Sequence, residues 1–164
     1  MGIRNTRRFE VLLRKLQQMI LIAHRGNIDG KNRAYENKPV YIDKALAKGY
    51  DAEVDIWYEG DVCYLGHDRP QYKISLSWLE ERKDRLWIHC KNIQAMEQMS
   101  MAENLHYFWH QEDTLTLTSK KFIWVYPGKQ PIKYSIAVMP ELYNDELTTC
   151  LGICSDRIEA YNYY

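Results

Sequence analysis

The sequence predicts an α/β fold organised on a parallel sheet. Strand-like and helix-like segments alternate through the first two thirds, and ionisable residues recur where the strands end. In the final third the joining segments are short and marked by proline or glycine, which leaves little room there for full helices. With 164 residues, of which 46% are hydrophobic and 13% aromatic, the chain suits one domain over 1–164 that fills a single core without disulfides.

Phe9 to Gln18 places apolar residues at 9, 12, 13 and 16, the spacing of an amphipathic helix, so residues 1–18 read as a helical lead-in. Met19 to Ala23 is a continuous apolar run that ends at His24-Arg25-Gly26, as a strand buried on both faces does when it opens into a loop. After a polar, glycine-bearing loop, Asn37 suits a helix N-cap, Pro39 suits the first turn, and Gly49 ends a crossover helix over residues 38–48. Ala52 to Tyr58 alternates, with Glu53, Asp55 and Trp57 on one face and Ala52, Val54 and Ile56 on the other.

Glu59-Gly60-Asp61 is turn chemistry, and Val62 to Leu65 returns as a short strand that delivers His67 and Asp68. Ser77 to Glu80 fits a capping box opening a short helix. Leu86 to Lys91 then reads as a strand with Trp87, His89 and Lys91 on one face, followed by a helix from Ile93 to Glu103 and by Tyr107 to His110. Strands are expected at Phe122 to Tyr126, Ser135 to Met139 and Leu151 to Cys154, the last ending near Asp156.

Composition narrows the function classes. Twenty-two basic residues balance twenty-two acidic ones, so no global field draws the chain to nucleic acid or to an anionic membrane. Cys63, Cys90, Cys150 and Cys154 lack paired C-x-x-C spacing and read as reduced thiols. The apolar run at Met19 is too short for a signal peptide core, and no stretch is long enough for stable membrane insertion, which points to the cytoplasm.

Four segments in order, Ala23-His24-Arg25-Gly26, Glu36-Asn37, Glu53-Val54-Asp55-Ile56 and His67-Asp68, resemble the signature of glycerophosphodiester phosphodiesterases and the wider phospholipase-C-like phosphodiesterase barrels. Weaker similarity covers Ile88 to Lys91 and Gly152 to Arg157. The resemblance implies a (β/α)8 barrel of the TIM type, here compact and with reduced helices in its C-terminal third. It also implies that His24 and His67 serve as acid and base in the cleavage of a small-molecule or polymer-linked phosphodiester.

The residue types suit that chemistry. Attack on phosphorus needs charge neutralisation on the nonbridging oxygens, a base for the nucleophile and an acid for the leaving alkoxide. Glu53 and Asp55 are hard oxygen donors suited to Mg2+ or Ca2+, and Arg25 and Lys91 would add positive charge at the phosphate. The family's third acidic ligand falls here at His89, which brings the softer Mn2+ into consideration. Glu36, Trp57, His110 and Asp156 complete the candidate pocket, although Glu36 and Asn37 also suit a structural role in supporting the first loop and capping the helix.

Three departures from the family leave other functions open, the first being His89 in place of the third acidic ligand. The insertion that shapes the glycerol pocket in many relatives is absent, and the chain is shorter than the roughly 200 to 250 residues typical of the barrel. The alternatives are a lyase that stops at a cyclic phosphate and an inactive phosphate-ester or sugar-phosphate binding protein.

Overall fold

The computed structural model describes residues 19–164, so the expected lead-in helix lies outside the described residues. The elements are β1 (Ile20–His24), α1 (Pro39–Ala47), β2 (Asp51–Glu59), β3 (Val62–Leu65), β4 (Tyr72–Ile74), α2 (Leu76–Glu80) and β5 (Leu86–Cys90). They continue with α3 (Ile93–Ser100), β6 (Tyr107–Phe108), β7 (Leu115–Leu117), β8 (Ile123–Val125), β9 (Ser135–Val138) and β10 (Gly152–Ser155).

The ten strands form one mixed sheet curled into a half-barrel, which corrects the expected (β/α)8 barrel. Parallel pairing runs in the order β6-β5-β2-β1-β10-β9-β8. The hairpin strands β3 and β4 add antiparallel to β2, and β7 adds antiparallel to β8. Among the described residues there are only three α-helices. Parallel neighbours need a crossover of a dozen or more residues to carry a helix. Helices α1, α2 and α3 all precede β6, whereas β8, β9 and β10 are linked by proline-marked loops and a single 3-10 turn at Pro140–Leu142. Without crossover helices to wrap its second half, the sheet stays open between β6 and β8.

Alternation along the strands divides the core. Ala52, Val54, Ile56, Ile88 and Cys90 point outward against Ile42, Leu79, Ala95 and Met99 of the helices. Ile22, Trp87, Phe108, Trp124, Ile136 and Cys154 point into the concave side. There Trp124 reaches Phe108 and Trp87 across the opening, with ring centroids 4.7 and 5.7 Å apart. One step of two residues towards the strand ends, the same inward rows change from apolar to ionisable: Ile22 gives way to His24, Trp87 to His89 and Cys154 to Asp156. The fold therefore has an apolar floor and a polar mouth at the carboxyl ends of its parallel strands.

Local capping differs from expectation at two helices. Asn37 is not the cap of α1, which starts after Lys38 with no side-chain cap, because the Asn37 side chain is committed elsewhere. Helix α2 is capped by Ser75, whose hydroxyl accepts from the Trp78 amide at 3.1 Å, rather than by Ser77. Helix α3 begins at Asn92, whose side-chain oxygen accepts from the amides of Ala95 and Tyr58 and ties the helix start to the end of β2.

The loop after β3 depends on a glycine. Gly66 has φ 149°, and a Cβ there would lie 2.2 Å from the Arg69 carbonyl oxygen. Its own carbonyl accepts from the Trp57 indole N–H at 2.6 Å, so the turn that presents His67 is braced from β2. Gly66→Ala is expected to lower unfolding free energy by more than about 1 kcal/mol, read as a shift in the denaturant midpoint, because neither the backbone angle nor the space accepts a methyl group.

Candidate active site

Strand register brings the first pairs together: His24 stands beside Glu53 across β1 and β2, and Asp55 beside His89 across β2 and β5. Glu53 and Asp55, 2% and 0% exposed, sit on the central strand of the mouth with His89 half-buried next to them. One donor atom from each of Glu53, Asp55 and His89 lies within 4.8 Å of the others.

The imidazole of His89 is oriented for ligation. Its Nε2 is 2.8 Å from the His110 carbonyl oxygen, and a carbonyl can only accept, so the proton belongs on Nε2. The Nδ1 lone pair then faces Asp55 Oδ1 at 3.2 Å and Glu53 Oε1 at 3.8 Å. Phe108 stacks under the ring at 5.1 Å and fixes its plane. A hydrogen bond from the remote nitrogen is the usual support of a metal-binding histidine.

Asp55 is the most heavily contacted carboxylate. Its backbone N–H donates to Asn37 Oδ1 and its Oδ2 accepts from Asn37 Nδ2, both at 2.9 Å, while Arg25 Nε lies 3.0 Å from Oδ2 and Lys91 Nζ 3.4 Å from Oδ1. Oδ1 is buried yet has no well-aligned hydrogen bond, so one of its lone pairs is left for a further partner. Burial pushes the Asp55 carboxyl up, but the positive charges beside it, Arg25 and Lys91 among them, outweigh it and hold the group well below the usual carboxylate range. Burial, followed by the Asp55 charge, pushes Glu53 the other way.

Arg25 follows β1 with φ 53°, a turn that aims its backbone N–H at Glu53 Oε2, 3.1 Å away. Its guanidinium reaches Glu36 at 3.2 Å as well as Asp55. Next to it, His24 Nδ1 is 2.7 Å from Asp156 Oδ1, so Nδ1–H donates to the carboxylate and Nε2 is turned towards Glu53 Oε2, 3.9 Å away. Burial lowers the His24 pKa, but the Asp156 hydrogen bond and the Glu53 charge outweigh it, leaving the group above its ordinary value.

The remaining expected residues take different places. His67 is half-buried, with Nδ1 2.6 Å from Asp68 Oδ1, and it makes no described contact with the His24 cluster. It shares with Arg25 and Glu36 the wall of a cavity of about 230 Å3. Trp57 supports the His67 turn instead of lining that cavity. His110 contributes through its backbone carbonyl, while its ring lies beside Tyr126 at 5.5 Å and burial lowers its pKa.

Sequence reasoning did not anticipate several contributors. Asn27, fully buried, donates to both Glu36 Oε1 at 3.1 Å and Asp156 Oδ1 at 2.8 Å. Lys31 and Arg33 line the cavity above Arg25. The polarity and glycine of this loop were evident in the sequence, but only the tertiary fold shows what its charges face. No protein-family model, curated protein or solved structure matches this chain. Among the described residues, no helix is long and apolar enough to cross a membrane.

Proposed function

We propose that the chain is a metal-dependent phosphodiesterase of the glycerophosphodiester phosphodiesterase type, acting on a small-molecule or polymer-linked phosphodiester. The observation that carries this reading is the convergence of Glu53, Asp55 and His89 beside the hydrogen-bonded pair of His24 and Asp156. Glu53, Asp55 and His89 would hold a divalent ion, Mg2+ or Ca2+ or the softer Mn2+, whose chemistry is to neutralise charge on the phosphate. The open lone pair on Asp55 Oδ1 and the inward-facing Nδ1 of His89 suit such an ion.

Arg25 and Lys91 flank the same carboxylates and supply donors to the nonbridging oxygens. His67, with Nδ1 donating to Asp68, presents Nε2 to accept a proton from the nucleophile, either water or a neighbouring hydroxyl of the substrate. A bond forms from that oxygen to phosphorus and the bond to the alkoxide breaks. His24 Nε2 gives its proton to the departing oxygen, helped by a pKa above the ordinary value. The reading places this chemistry in the cytoplasm, where the buried thiols of Cys63, Cys90 and Cys154 stay reduced.

Asp156→Asn tests the acid role. Loss of the carboxylate lowers the His24 pKa, so the alkaline limb of the rate profile, where His24 loses its proton, moves to lower pH, while His67 and the metal ligands are untouched. A pH profile of kcat measures this. An unchanged alkaline limb would separate His24 from proton donation.

One observation favours a second reading, a phosphate-ester or sugar-phosphate binding protein without catalysis. Arg25 and Lys91 already compensate Asp55 with no ion required. Turnover of bis(p-nitrophenyl) phosphate and of glycerophosphodiesters with Mg2+, Ca2+ and Mn2+ decides between the two, since a binding protein gives none. Phosphorus NMR of the product distinguishes hydrolysis from a cyclic-phosphate lyase.

A further inference from the structure

We infer that the site selects phosphodiesters carrying a second anionic group, because Lys31 and Arg33, which form no ion pair among the described residues, line the cavity beside Arg25. The inference rests on the phosphodiesterase reading for the reacting phosphate and adds the chemical class of what is attached to it. The cavity, about 230 Å3, is larger than the five heavy atoms of one phosphate require. Its cationic lining is Arg25, Lys31 and Arg33, its acids are Glu36 and Asp68, and His67 lies beside them.

Those charges are not equivalent. Arg25 is matched by Glu36 and Asp55, and Asp68 is taken by His67. Asp156, the next carboxylate below, is shared by His24 and Asn27. Asp29, on the same loop, lines a different cavity beside Arg157. Lys31 and Arg33 therefore have no ion pair among the described residues, and the three cations of the lining outnumber its two acids. A neutral alcohol substituent offers them no opposite charge, whereas a phosphate or carboxylate on the substrate does.

The loop that carries them is fixed to the reactive network. Asn27 Oδ1 accepts from the Asn32 amide at 3.1 Å, between the two cations, and the Glu36 amide closes onto the Asn32 carbonyl at 3.0 Å. The same Asn27 side chain donates to Asp156, the partner of His24, and to Glu36, the partner of Arg25. One buried amide thus sets the position of Lys31 and Arg33 relative to both the acid and the phosphate arginine. Cations on a loop anchored beside the reacting phosphate are placed to meet an extra substrate anion.

The test compares glycerophosphoglycerol, whose second alcohol is uncharged, with glycerophosphoinositol 4-phosphate, in wild type and in the Lys31→Ala, Arg33→Ala double variant. Both positions are exposed, so the fold tolerates the change. The wild type is expected to favour the phosphorylated diester in kcat/KM by about tenfold or more, and the double variant to lose that preference. No preference in the wild type, or an equal loss for both substrates, would assign the two cations to no second anion and overturn the inference. If neither diester is turned over, the phosphodiesterase reading fails separately, and calorimetric titration decides. Pyrophosphate binding more tightly than inorganic phosphate, with the difference lost in the double variant, supports the second-anion site; the same difference in both proteins, or none in either, overturns it.

Discussion

His24→Ala is expected to lower kcat for a phosphodiester by about 10²- to 10⁴-fold, the range for removing a positioned general acid, while leaving divalent-ion binding intact. The separation follows from the site's two halves. His24 ends β1 and is held through Nδ1 by Asp156, whereas the three proposed ligands lie on β2 and β5. Its Nε2 is 3.9 Å from Glu53 Oε2, near enough to feel the carboxylate but not a hydrogen bond on which ligand geometry depends. Turnover together with calorimetric titration of Mn2+ checks both parts. A variant that keeps full kcat would remove His24 from the chemistry.

Asp55→Ala is expected to lower the free energy of unfolding by about 3–5 kcal/mol, because it leaves charged partners unmatched in a buried setting. The carboxylate is fully buried between Arg25 and Lys91 and also holds Asn37, whose side chain clasps both the Asp55 carboxylate and its backbone. Asp55→Asn keeps a side chain of the same shape for Asn37 to meet but not the charge, so the difference between the variants separates packing from ion pairing. The pH dependence has a definite sign. A carboxyl whose folded pKa is depressed contributes fully above its unfolded value of about 3.9, and the contribution is lost as pH falls through the lower folded value. Denaturant unfolding of wild type and Asp55→Asn across acid pH measures it, with the gap between them closing at low pH.

The parts of this fold that were legible in the sequence are those with strong local pattern. Alternation in Ala52 to Tyr58 correctly puts Glu53 and Asp55 on one face and Val54 and Ile56 on the other, since period-two patterning follows directly from strand geometry. Strands β4 and β7 were not legible. Each spans only three residues at a sheet edge, and although Thr114 to Thr118 alternates with leucine, Leu115 and Leu117 of β7 are exposed and bury no face that would mark a strand of the core. The closed barrel was an extrapolation from segments between residues 20 and 68 to a C-terminal third whose connections carry no α-helix.

Within the site, residue types were readable but roles set by tertiary contact were not. Asn37 has the chemistry of an N-cap, and that local preference yields here to the stronger demand of a buried carboxylate. Asp156 could be placed at a strand end, yet its bond to His24 joins residues 132 positions apart and has no local signal. Lys31 and Arg33 look like ordinary loop charges until Asn27 is seen to fix their loop over Arg25.

The proposed function is metal-dependent phosphodiester cleavage at Glu53, Asp55 and His89. Its most direct test is the turnover of bis(p-nitrophenyl) phosphate by wild type and Glu53→Gln, each stripped with chelator and then titrated with Mg2+, Ca2+ and Mn2+. The predicted result is turnover in the wild type that disappears with chelator, returns with at least one of these ions, and falls by about a hundredfold or more in Glu53→Gln. Turnover indifferent to chelator and undiminished in Glu53→Gln, or none with any ion, would contradict it.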